Sequence, residues 1–246
     1  MTADPMVALV TGANKGIGWE IARALGEQGF VVLAGGRSVE RLQQAIKRLE
    51  AVGVGAKPLL IDVTEDRAVA SAADTVRQRW GRVDVLVNNA GVLLEPVGSG
   101  MRPSTTPIEI VTKTYETNLF GAIRVTNAML PLLLKADEPR IVNVTSWLAS
   151  LASNGPGTRA AEALNLLAYN TSKTALNAVT LAYAKEFHGT ALKINAVDPG
   201  HCATDINGNV GDRTPEQAAA LPVWAATLPA DGPSGEFVSG DAVLPW

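Results

Sequence analysis

The chain has 246 residues, of which 47% are hydrophobic, and a net charge of −3. That is enough apolar material for one α/β core, so residues 1–246 are read as a single domain, and the balance of charge offers no basic footprint for nucleic acid and no polybasic surface for membranes. No apolar run is long enough for a membrane helix, Met1-Thr2-Ala3-Asp4-Pro5 lacks the pattern of a signal peptide, Cys202 is the only cysteine, and His188 and His201 stand far apart; a cytoplasmic protein with a small-molecule partner, no disulfide and no metal is expected.

In chain order, apolar β-branched strands are predicted near residues 6–11, 30–35, 57–61, 83–88, 139–145, 191–197 and 236–239. Between them lie helical patterns near 16–28, 38–52, 65–79, 106–116, 118–135, 165–186 and 214–226. This alternation predicts βαβ units in an α/β fold, a doubly wound, mostly parallel sheet of about seven strands with helices on both faces. Ser38 and Thr64 read as helix N-caps, and Thr214-Pro215-Glu216-Gln217 combines a cap, a proline at the first helical position and a capping-box glutamine. Ser153 to Gly157 and Asp198 to Asp212 read as loops.

Chemistry is concentrated at a few points along this scaffold. The segment Thr11-Gly12-Ala13-Asn14-Lys15-Gly16-Ile17-Gly18 joins a buried strand to a helix, where glycines let backbone N–H groups approach a diphosphate and the helix dipole favours its charge. At the end of the second strand stand Gly36 and Arg37 rather than the acid that bonds ribose hydroxyls at NAD sites. A guanidinium there grips a 2′-phosphate, with Lys15 as a second cation, which predicts a preference for NADP.

Tyr169 and Lys173 lie four residues apart on one helical face. Lowering a phenol from a pKa of about 10 to about 7 takes roughly 4 kcal/mol. One charge at about 4 Å supplies about that much at an effective dielectric near 20, so Lys173, helped by a cationic nicotinamide, is expected to lower the Tyr169 pKa.

The glycine turn, Asn88-Asn89-Ala90-Gly91, Ser146 in Val142-Asn143-Val144-Thr145-Ser146 and Tyr169-Asn170-Thr171-Ser172-Lys173 occur in one order that resembles the short-chain dehydrogenase/reductase family along essentially the whole chain. Asn14-Lys15, Gly35-Gly36-Arg37 and the closing Gly240 to Trp246 are most similar to its NADPH-dependent carbonyl reductase branch. The resemblance implies a Rossmann-type fold and an oxidoreductase that moves a hydride between NADP(H) and a carbonyl carbon. It implies a catalytic set of Asn118, Ser146, Tyr169 and Lys173: Ser146 holds the substrate oxygen, Tyr169 protonates it, Lys173 tunes Tyr169 and holds the nicotinamide ribose, and Asn118 binds a relay water or serves as an ordinary N-cap.

By the same likeness the cofactor is bound by Gly12, Asn14, Lys15, Gly16, Ile17 and Gly18, by Arg37 with the adjoining Ser38, and by Asp62 and Val63 at the adenine. Asn89, Ala90 and Gly91 pass the adenosine side, Pro199 and Gly200 pass the nicotinamide, and Thr204 meets its carboxamide or the diphosphate. Asn88 is expected to brace the sheet. Leu93, Leu94, Trp147, Leu148 and His201 are candidates for an apolar substrate pocket, or the leucines and Trp147 are core.

Ser146 and Tyr169 stand 23 positions apart, so a segment of about 154–166 is inserted relative to compact members and should border the site. The helix after it often forms a subunit interface in the family, which leaves a dimer or tetramer open. An oxidative alcohol dehydrogenase and a non-catalytic NADPH sensor are the alternatives to a reductase.

Overall fold

The computed structural model describes residues 4–96, 101–155 and 164–246. Eight strands form one sheet: β1 Val7–Val10, β2 Val31–Gly36, β3 Lys57–Leu60, β4 Val85–Asn88, β5 Arg140–Val144, β6 Lys193–Asp198, β7 Phe237–Ser239 and β8 Ala242–Val243. Their order is β3-β2-β1-β4-β5-β6-β7-β8, parallel throughout except for the antiparallel β7–β8 pair. β8 is the strand beyond the seven expected. Two residues are too few to show a period, and it exists because Gly240 turns the chain back at φ 58°.

The helices are α1 Gly16–Glu27, α2 Val39–Ala51, α3 Asp66–Arg79, α4 Ile108–Tyr115, α5 Gly121–Leu133, α6 Leu167–Glu186 and α7 Pro215–Ala226. Strand pleating sends alternate residues to opposite faces, so Ala8 and Val10 pack with α1, α2 and α7 while Val7 and Leu9 pack with α3, α5 and α6. Leu9, Leu33 and Leu86 are fully buried, each such side chain contributing about 1.5–3 kcal/mol of apolar burial.

Ser38 caps α2, accepting from the Arg41 N–H, and Thr214 with Gln217 forms the expected capping box on α7. Thr64 does not cap α3. That helix starts at Asp66 with Glu65 in the cap position, because the Thr64 hydroxyl turns back to Asp62 Oδ1 at 2.7 Å. The break expected at Asn118 is a π-helical turn, Glu116–Phe120, that joins α4 to α5. None of the described helices is long and apolar enough to cross a membrane.

Chain order reverses between β1 and β4, where the sheet opens a crevice at its carboxyl edge. The turns after β1, β2, β4, β5 and β6 therefore converge on one side.

Candidate active site

Those turns enclose one cavity of about 1280 Å³ that all but one of the predicted site residues line, from Gly12 and Arg37 at one end to Leu93, Ser146, Tyr169 and His201 at the other. Its floor at the β1–α1 turn is backbone. Gly12 has φ 68°, and a Cβ on Gly18 would lie 2.4 Å from Asn89 Nδ2 and 2.5 Å from the Gly12 carbonyl oxygen. Asn89 holds this arrangement, donating from Nδ2 to the Thr11 carbonyl at 2.9 Å, while the Thr11 hydroxyl accepts the Asn89 and Ala90 N–H groups at 3.0 Å. Asn88 braces the sheet as expected, donating to Thr126 Oγ1 and Asn143 Oδ1.

Arg37 is exposed beside Ser38, and Arg41, one turn into α2, lines the same end of the cavity. Arg41 escaped the sequence reading; its place three residues after the cap residue Ser38 was the available signal. Lys15 reaches across the mouth to Asp205 Oδ2 at 2.7 Å, tying the glycine turn to the loop after β6. Thr204 in that loop faces the glycine turn, its methyl 3.6 Å from a Cβ built on Gly16.

Asp62 Oδ1 accepts both the N–H and the hydroxyl of Thr64, which sets the turn beside Val63. Arg124 of α5 then clamps that turn: Nη1 donates to the Val63 carbonyl at 2.7 Å, Nη2 to Glu116 at 2.9 Å, and Nε to Asp66.

At the other end, Ser146 follows β5, its Oγ accepting the Leu148 N–H at 3.3 Å and sharing a hydrogen bond with the Tyr169 hydroxyl. Thr145 lines the same cavity, but its hydroxyl goes to the Lys173 carbonyl, so Ser146 is the hydroxyl presented to Tyr169. Lys173 Nζ donates to the Val144 carbonyl at 2.9 Å and lies 5.9 Å from the Tyr169 ring centroid.

Spacing thus brings the pair together, but the electrostatic outcome differs from the sequence expectation. The Tyr169 phenol is pushed up to about 12, first by burial and then by the negative charge of Asp198, with the Ser146 hydrogen bond pulling the other way. Burial also pushes Lys173 down to about 8, which disfavours the very cation meant to lower the phenol. Residue spacing carries no information on desolvation, and here desolvation outweighs the pair's attraction.

Asn118 is the one predicted residue that does not line the cavity. It is buried behind it, where Oδ1 accepts the Val92 N–H at 2.8 Å and Nδ2 donates to the Val92 carbonyl and Ser172 Oγ. Its side chain braces the β4 turn against α6 from within the π turn, and it is not an N-cap.

Glu95 is a further residue that spacing did not reveal. It is buried, and its two carboxylate oxygens accept the Ala168 and Tyr169 N–H groups at 3.1 and 2.9 Å, so a β4-side loop caps the start of the helix that carries Tyr169 and Lys173.

Leu93, Leu94, Trp147 and Leu148 line the apolar end, with Leu148 buried and Leu94 exposed, joined by Leu164, Leu166 and Ile206. His201 borders it too, half-exposed and 4.0 Å from Asp212. The inserted segment borders the site through Leu164 and Leu166, and Asn154 donates to the Trp147 carbonyl; residues 156–163 lie outside the described residues.

With this geometry in hand, a family model described as short chain dehydrogenase matches residues 6–215. The chain is 34% identical to Short-chain dehydrogenase/reductase 1 of Saponaria officinalis, over 99% of this chain and 97% of that protein. It is 32% identical to carbonyl reductase [NADPH] 1 of Rattus norvegicus, over the full length of both. Among solved structures, salutaridine reductase from Papaver somniferum superposes with a TM-score of 0.82 at 28% identity, covering 96% of this chain and 100% of that one.

Proposed function

This chain belongs to the short-chain dehydrogenase/reductase family of oxidoreductases, and from that premise we propose that it reduces a ketone, aldehyde or quinone to an alcohol with NADPH. The observation that carries the reading is the convergence of Ser146, Tyr169 and Lys173 on the same cavity as a glycine turn whose backbone leaves no room for a side chain at Gly12 or Gly18. The residues fit the cofactor: glycine N–H groups at a helix start suit a diphosphate, and Lys15, Arg37 and Arg41 suit a 2′-phosphate. The similarity to a reductase whose name specifies NADPH supports the same choice.

Bound NADPH supplies the hydride. The Ser146 and Tyr169 hydroxyls are hydrogen-bonded to one another, and exchanging that bond for two to a substrate oxygen would aim both donors at it. Tyr169 gives its proton as negative charge grows on that oxygen, and Lys173 offsets the charge left on the phenol. Burial and Asp198 keep the phenol protonated at neutral pH, the state a proton donor to the substrate oxygen must start from. Asn118 and Glu95 hold the β4 side and the start of α6 in register around it.

The test is steady-state oxidation of NADPH and of NADH across aldehydes, ketones, diketones and quinones, with Tyr169→Phe alongside. The expected result is a much higher kcat/KM with NADPH and loss of most turnover in Tyr169→Phe while NADPH still binds. Near-normal turnover in that variant refutes the assignment, and tight NADPH binding without turnover on any carbonyl moves the reading to a sensor.

A further inference from the structure

Asp198 is a buried carboxylate inside the cavity that the mechanism above leaves unused. Its position follows from sheet register: it ends β6, beside Ser239 of β7 and one residue beyond Val197, which pairs with Val144 of β5. The carboxylate collects donors from three directions. Oδ2 accepts the Ser239 hydroxyl at 2.6 Å, Oδ1 accepts the Gly200 N–H at 3.1 Å, and the Trp147 N–H also donates to it.

Three donors and no acceptor suit the ionised form, against the burial that raises its pKa. The charged and titratable groups around it are few among the described residues. Arg213 lies across Gly200, within 2.9 Å of where a Cβ would be, and attracts it. Tyr169 is disfavoured from ionising by it, Lys173 lies beyond the phenol, Glu95 caps the Tyr169 N–H, and His201 faces Asp212.

We propose that Asp198 is a positioning residue that holds the Ser146–Trp147 turn and places a negative charge on the nicotinamide side of the cavity, favouring the cationic nicotinamide ring of the oxidised cofactor and so the reductive direction. The inference rests on the reductase reading. Hydride donation turns a neutral nicotinamide into a cation, so an anion beside it lowers the energy of the product state.

The experiment measures two quantities that need no turnover. The first is the ratio of Kd for NADP+ to Kd for NADPH, by fluorescence titration. In Asp198→Asn it is expected to rise several-fold or more, since the oxidised form alone loses the attraction of a nearby anion. The second is the ultraviolet tyrosinate titration, practicable because the chain has three tyrosines, with Tyr169→Phe subtracted to isolate Tyr169. Its midpoint is expected to move to lower pH in Asp198→Asn. A ratio unchanged within about twofold, or an unmoved Tyr169 midpoint, overturns the proposal.

Wild-type protein that binds neither cofactor form refutes the reductase reading instead, and the tyrosinate titration still decides the charge. If Asp198→Asn does not fold, Ser239→Ala keeps the carboxylate and removes one donor. The pH at which the wild-type binding ratio changes then moves upward, because the anion loses a hydrogen bond, and a transition at the same pH overturns the proposal.

Discussion

Replacing Lys173 with methionine should make the protein more stable near neutrality while stopping catalysis, and the pH dependence of that gain exposes its cause. The ammonium is buried against the Val144 carbonyl, and burial lowers its pKa from 10.5 to about 8. At about 1.36 kcal/mol per pH unit, holding the charged form in the fold costs about 3 kcal/mol. Below about pH 8 both the folded and unfolded chains carry the proton, so the cost is fully present. Between 8 and 10.5 the unfolded chain binds more proton than the folded one, and stability rises with pH.

Methionine removes the charge but leaves the Val144 carbonyl without its donor, a loss of about 1–3 kcal/mol. Lys173→Met is therefore expected to gain about 0–2 kcal/mol at pH 7. The difference between variant and wild type should fall by about 3 kcal/mol on going to pH 11. Packing terms cancel in that pH-dependent part. Urea unfolding followed by tryptophan fluorescence from pH 6 to about 11, with the slope m held common, measures it. A difference that stays flat within about 0.5 kcal/mol refutes a lysine desolvated in the fold.

The other expected outcomes concern neighbouring groups. Glu95→Ala leaves two N–H groups at the start of α6 without acceptors and should cost about 2–3 kcal/mol, seen as a lower Tm in calorimetry, with kcat reduced more than KM is raised. Glu95→Gln, which keeps one carbonyl oxygen, should fall between; unchanged Tm and kcat in both variants contradict the capping role. Gly18→Ala forces a Cβ against Asn89 and the Gly12 carbonyl and should lose about 1–3 kcal/mol together with most cofactor affinity, so a wild-type urea midpoint would contradict the close packing of the turn. The double variant Arg37→Ser, Arg41→Ala should weaken NADPH about 10- to 100-fold and NADH little, and equal losses for the two cofactors would place the 2′-phosphate elsewhere.

Much of this molecule is written in local pattern. The apolar runs became parallel strands, buried in the middle of the sheet and largely exposed at the β3 edge, and the helical apolar patterns became helices, because burial of one face or both is enough to select the element. The glycine turn and the Tyr169–Lys173 spacing were legible for the same reason, since both are properties of a few consecutive residues.

What escaped was set by contacts between distant segments. Thr64 looked like a cap until Asp62 took its hydroxyl, and Asn118 marked an interruption that the packing of Val92 and Ser172 turned into a π turn. Glu95 meets α6 from 73 and 74 residues away, a separation that no periodicity encodes. Asp198 looked like part of a loop until the register of β5, β6 and β7 set it beside Trp147 and Ser239. The rise of the Tyr169 pKa is of the same kind: sequence places the lysine near the phenol, but the low-dielectric surroundings and the Asp198 carboxylate, assembled from separate strands, decide the sign of the shift.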